Sequence, residues 1–165
     1  MPGHMAGRAA RNHRCAGETT RAPHGIATEQ SESFYRAAVV QEQPMGCAVA
    51  CVASLLGTSY TKALGLFADK TAAVSRGYYC ADICRALSQR GRDYAWRKAA
   101  PSDRERPGDI VFVSPSRRYP AGHFLLKTSR GWMNPWVNFP RITPAKAGFE
   151  RGLPGRAAWV ISPCT

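Results

Sequence analysis

A short stretch, "QEQPMGCAVACVASLLG" (residues 41–57), holds two glutamines and two cysteines at the mouth of an apolar run. Cys47 stands where that run begins, after a Pro-Met-Gly turn. A helix starting there aims unpaired N–H groups and the positive end of its dipole at the sulfur. Both favour a thiolate, so the position predicts a lowered thiol pKa, more so beside a protonated histidine. Cys51 falls one turn deeper in the apolar run and is expected to be an inert core thiol. Nucleophilic acyl chemistry also needs donors aimed at an oxyanion. A glutamine amide beside the nucleophile's own N–H can supply one, which makes Gln41 and Gln43 candidates.

A thiol nucleophile needs a base. Of four histidines, His4, His13 and His24 lie in the N-terminal stretch and His123 alone lies beyond it. His123 is therefore the one neutral-pH base available to a folded core. A lone histidine is more often structural than catalytic, so its weight comes from its neighbours. Asn134, eleven residues on, can orient an imidazole through a hydrogen bond. "TSRG" (128–131) reads as the turn of a hairpin that sets "WMN" against "HFL". Asn138, beyond Pro135, should have left that pairing.

The rival chemistry is zinc. Cys47 with Cys51, and Cys80 with Cys84, are each four apart and would stack on helix faces. Structural zinc sites favour closer loop spacings such as C-x2-C, so neither a metal nor a cofactor is expected. Cysteines other than Cys47 are read as core residues.

These groups need elements to hold them. "FYRAAVV" (34–40) reads as a strand, and helices are expected at about 47–56, 58–68 and 78–91. Gly57 and Gly91 are their stop signals, and Thr58 or Ser59 a cap. Then the period changes. "DYAWRKA", "DIVFV", "HFLLKT", "GWMNPW" and "AAWVIS" read as short strands separated by Pro, Gly and Ser. Helices followed by strands predict an α+β fold rather than a βαβ repeat.

The 165 residues suit one domain with a tail, and 44% apolar residues suffice for an ordinary core. Residues 1–33 show no apolar period and are expected to be a disordered basic tail, with the domain at 34–165. They have neither a signal peptide's apolar core nor amphipathic transit-peptide spacing. A cytoplasmic location, or delivery by a route other than the general secretory one, is expected. No apolar run approaches the roughly 18 residues that span a bilayer. The net charge is +12, of which residues 1–27 contribute four Arg and one Glu. Such a balance attracts acidic partners, although an Arg-rich solvated surface is the plainer explanation. No stretch interleaves aromatic and basic residues as a nucleic-acid module would, so nucleic acid is not the expected partner.

The stretch around Cys47 resembles the motif of papain-like cysteine peptidases, closest to the bacteriocin-leader (double-glycine) peptidase domains. Those carry Gln, then Cys six residues later, then a second Cys four further on. Gln41, Cys47 and Cys51 match that spacing, which makes Gln41 the better oxyanion donor and Gln43 the reserve. The likeness continues through "GTSY", "DICRALSQRG", "PGDIVFV", "GHFLLK" and "WMNPW", over about residues 34–161. It implies a papain-like α+β domain, N-terminal helices packed on a C-terminal antiparallel sheet. It also implies a base at His123 and an orienting residue at Asn134. Two departures stand out. Ala48 follows the nucleophile where the family often has Gly, and Asn134 replaces the Asp usual in leader peptidases. Asn orients an imidazole without adding charge, so Asp would be expected to serve at 134 as well.

The resemblance implies a cysteine-dependent hydrolase that cleaves a peptide or isopeptide amide through a thioester acyl-enzyme. Its partner would be a protein or peptide substrate with an acidic surface, in the manner of a bacterial effector or toxin. The leader-peptide substrate itself is not carried over. The same apparatus could deamidate glutamine, transfer an acyl group or cut peptidoglycan amides. The non-enzyme alternative is a basic binding module with an inert Cys47.

Overall fold

The computed structural model describes residues 37–165. The expected basic tail and the first three residues of the strand expected at 34–40 lie outside the described residues. Residues 37–40 form no strand. Their backbone runs along the first helix, and the Ala37 carbonyl accepts a hydrogen bond from Ser54 Oγ at 2.9 Å. That bond satisfies the one hydroxyl in an otherwise apolar helix.

Helix α1 (Cys47–Leu56) begins at the expected cysteine, and Ala48 through Ser54 are all buried. An apolar surface on every side suits a helix at the centre of a domain. Gly57 ends it in the left-handed region, φ 64°, with its N–H on the Ser54 carbonyl at 3.2 Å. Helix α2 (Tyr60–Leu64) is shorter than the expected 58–68; Ser59 caps it by accepting the Lys62 N–H. The Leu66 and Phe67 N–H groups bond three residues back, to Ala63 and Leu64, which tightens the chain out of the helix. An unforeseen 3-10 turn at Lys70–Ala73 follows, capped by Asp69. Helix α3 (Cys80–Ser88) buries Ile83, Ala86 and Leu87, and the Asp82 carboxylate caps the Tyr79 N–H at 2.9 Å. It stops short of Gly91, whose φ of 66° turns the chain toward the sheet.

Six strands follow: β1 (Tyr94–Lys98), β2 (Ile110–Val113), β3 (His123–Thr128), β4 (Gly131–Asn134), β5 (Gly148–Glu150) and β6 (Ala157–Pro163). They form one antiparallel sheet in the order β1-β6-β2-β3-β4-β5. Helices then antiparallel sheet is the α+β arrangement expected. Alternate residues line opposite faces of a strand. Ile110, Phe124, Leu126, Met133 and Ile161 join the helices in the main core, while Val111, Val113, Leu125, Trp132 and Val160 form a smaller cluster.

The hairpin β3–β4 does turn at 128–131, with Thr128 opposite Gly131. Its register differs from the expected one. Leu126 faces Met133 and Lys127 faces Trp132, so "WMN" lies against "LLK" rather than "HFL". A two-residue loop allows no slack, and the offset puts Asn134 diagonal to His123 instead of beside it. Gly122, φ 77°, turns the chain into β3; a Cβ there would lie 2.2 Å from the Phe112 ring. His123 is thus launched from a tight glycine corner.

Candidate active site

Cys47 opens α1, and the backbone N–H groups of Phe124, Ala48 and Cys47 itself are near enough to its sulfur to favour the thiolate. Phe124 follows His123 on β3, so the thiol sits against the peptide that joins them. The residue keeps a half-open face, yet the sulfur is closely surrounded by protein. Burial pushes the thiol up to about 11, and the three N–H groups offset only part of that rise. The expected lowering by the helix terminus therefore does not hold, because desolvation of a thiolate outweighs the donors. At neutral pH the group is a thiol. Cys51 is fully buried one turn on and is raised further, as expected for a core cysteine. Cys80 and Cys84 are half-buried on α3 and raised by burial to about 12 and about 11.

His123 is buried at the start of β3. Tyr119 stacks flat on its imidazole, with ring centroids 4.1 Å apart and planes 3° from parallel. Phe139 packs on Tyr119 and Trp136 on Phe139, which closes an aromatic cover on that side. Burial pulls the imidazole down to about 4; the Asn134 bond opposes this, and Arg118 adds to it.

Nε2 of His123 lies 2.8 Å from Asn134 Oδ1. Asn134 is fully buried, and both of its amide hydrogens are committed: Nδ2 donates to Tyr119 Oη and to Glu150 Oε2, each at 2.8 Å. Its Oδ1 also accepts the Trp136 N–H at 2.9 Å. An amide oxygen only accepts, so Nε2 carries the hydrogen and the lone pair of the neutral ring is at Nδ1. Asn138 is elsewhere, bonding the Pro144 carbonyl and the Lys146 N–H across its own loop.

Gln41 is buried beside these groups. Its backbone N–H reaches the Pro135 carbonyl at 3.3 Å, which ties the entry to α1 to the end of β4. Its Nε2 donates to the carbonyls of Gln43 (3.1 Å) and Pro44 (3.0 Å) and so braces the turn before Cys47. Both amide hydrogens are engaged there. Donation to an oxyanion requires one of them to be released or shared. Gln43 is half-buried, and its backbone carbonyl also accepts the Gly46 N–H at 3.1 Å. Gly46 itself admits no side chain, since a Cβ would meet Tyr60 Oη at 1.9 Å.

The structure thus joins His123 to Asn134 by a hydrogen bond, sets Cys47 against the backbone of Phe124, the residue after His123, and ties the Gln41 backbone to Pro135, the residue after Asn134. Sequence reading missed Tyr119, Trp136, Arg118 and Glu150. The first two are aromatics close in sequence to His123 and Asn134, a signal that was available. Glu150 sits on a three-residue strand with no local pattern. Among the described residues no group of three or more His, Cys, Asp or Glu side chains is arranged to hold a metal ion, and no helix is long and apolar enough to cross a membrane.

The low imidazole pKa has a measurable effect on folding. An unfolded histidine titrates near 6.5 and the folded one near 4, so between these values the unfolded chain binds more protons. Stability should therefore fall as pH falls from about 6.5 to about 4, by up to about 3 kcal/mol from this group. Denaturant melts at pH 7 and pH 4, compared with those of His123→Gln, isolate the contribution from that of the carboxylates. Equal pH slopes in the two proteins would contradict it.

No protein-family model matches this sequence, and no curated protein matches it either.

Proposed function

We propose that this protein is a cysteine-dependent amide hydrolase of papain-like type, acting on peptide or isopeptide bonds. The observation that supports the reading is the bond between a buried His123 and Asn134, with a helix-terminal thiol set against the backbone of the next residue, Phe124. Backbone N–H groups at the thiol suit an oxyanion, and Gln41 is close enough in the chain to add a second donor. The net charge of +12 favours an acidic substrate protein.

Cys47 and His123 rest as a neutral pair, so the thiolate forms on attack rather than beforehand. As sulfur bonds to the substrate carbonyl carbon, the thiol proton passes to Nδ1 of His123. The oxyanion forms against the N–H of Cys47. His123 then gives that proton to the departing amine nitrogen, the C–N bond breaks and a thioester remains. Water attacks the thioester with His123 again as base. The acid leaves, the thiol is restored, and the sum is amide plus water to acid plus amine. Asn134 holds the ring throughout.

A peptide bearing an electrophilic carbon at the scissile position, followed by mass mapping, tests the reading. One adduct on Cys47, formed much faster than with a small alkylating agent, is expected, because a thiol near 11 needs the bound geometry to react. Equal labelling of Cys80 and Cys84, or equal rates with both reagents, counts against it.

A further inference from the structure

Glu150 stands behind Asn134 as Asn134 stands behind His123. It lies on the edge strand β5, diagonal to Asn134, whose direct partner there is Gly148. Glu150 Oε2 accepts from Asn134 Nδ2, and Oε1 pairs with Arg118 Nη2 at 2.8 Å. Arg118 also donates to the Val137 carbonyl at 3.2 Å and lies over the Tyr119 ring, 5.1 Å from its centroid. Tyr119 donates its hydroxyl hydrogen to the Trp136 carbonyl at 3.0 Å and so faces Asn134 as an acceptor.

Two acceptors therefore hold the two Asn134 hydrogens. Turning the amide over would set its oxygen against the Glu150 carboxylate and its NH2 against the Trp136 N–H. Neither contact is tolerable in a buried site. Glu150 and the Trp136 N–H thus set from opposite sides which way Asn134 faces, and through it which nitrogen of His123 carries the hydrogen.

We propose that Glu150 is a positioning residue of the site, bearing one step outward the negative charge that an aspartate at 134 would otherwise supply. This rests on the proposed function for its kinetic consequences, but not for the tautomer. It also reverses the expectation that Asp serves at 134. An Asp there would put a second carboxylate 2.8 Å from Glu150. Two such groups cannot both stay ionised, and one takes a proton. The orienter tolerated at 134 is therefore set by the residue at 150. With Gln at 150 the logic inverts, since its amide can donate to a carboxylate at 134 while its oxygen accepts from Arg118.

The test uses the full chain with nitrogen-15-labelled histidine, His123 being identified by its loss in His123→Gln. NMR should show the Nε2–H tautomer in the wild type and in Glu150→Gln, whose single amide oxygen keeps the Asn134 bond while the part-exposed Arg118 turns to water, and a mixture in Glu150→Ala. In kinetics, Glu150→Ala should lower kcat about tenfold with KM nearly unchanged, and Glu150→Gln much less. Asn134→Asp should lower kcat as well, and adding Glu150→Gln should restore about tenfold of it. If Glu150→Ala leaves both tautomer and kcat at wild-type values, the proposal is overturned. If Glu150→Ala does not fold, the Asn134→Asp pair decides, and absence of rescue overturns it. A wild type that turns over no substrate, but whose tautomer responds to Glu150→Ala as stated, sinks the hydrolase reading and upholds the positioning role.

Discussion

Replacing Cys47 by Ala should remove turnover by about five orders of magnitude while leaving the melting temperature nearly unchanged. No other described thiol can stand in. Cys51 is one turn deeper with no exposed surface, and Cys80 and Cys84 are on α3, away from the β3 backbone that Cys47 touches. The small effect on folding follows because an Ala keeps the Cβ and every helix hydrogen bond. Cys51→Ser should behave in the opposite way. It places a hydroxyl in the apolar centre of α1 at a cost of about 1–3 kcal/mol, while the folded fraction still turns over. Calorimetry and kcat on the two variants make the comparison. Comparable turnover by Cys47→Ala and wild type would end the thiol mechanism.

The second large effect is at Asn134. Asn134→Ala should reduce kcat by roughly one to four orders of magnitude, because an unoriented imidazole samples the wrong tautomer and rotamers. Some stability should go with it. The substitution leaves the His123 Nε2–H and the Trp136 N–H without their acceptor, at about 1–3 kcal/mol for each that water does not reach, while Glu150 keeps Arg118 and Tyr119 keeps the Trp136 carbonyl. Asn138→Ala, by contrast, releases only a loop contact between Pro144 and Lys146 and should change kcat little. Steady-state kinetics on the folded fraction of each variant distinguishes the two. A crippled Asn138→Ala beside an unaffected Asn134→Ala would overturn the site.

Parts of this arrangement were legible in the residues alone. The start of α1 at Cys47 follows from an apolar run behind a Pro-Met-Gly turn, and its end from Gly57. The strand at His123–Thr128 follows from its composition after Gly122. The hairpin turn was legible but its register was not, since one wrong offset still pairs apolar residues with apolar residues. Helix α2 was overestimated because its amphipathic period runs on through Gly65 into a tighter turn. The sign of the Cys47 shift could not be read at all. A helix terminus is visible in sequence, whereas the degree of enclosure of one sulfur depends on β3, more than 70 residues away. Glu150 was hidden for the same reason, as nothing near it in the chain hints at Asn134.

In the proposed mechanism the nucleophile, Cys47, comes from the helical first half of the domain and the base, His123, from the sheet in the second. Neither half contains both, so the proposed pair would come together only when α1 seats on β3. The enclosure that separates the two titrations arrives in that same event. A loosely collapsed chain with its helices formed would hold a thiol near 9 and an imidazole near 6.5, two ordinary side chains at no fixed distance. Turnover by the proposed mechanism would therefore report tertiary assembly rather than helix content. Two pieces divided between α3 and β1 would each be chemically silent, and activity would appear only with their recombination. During synthesis the same geometry would delay the proposed chemistry until β6, which pairs between β1 and β2, has left the ribosome.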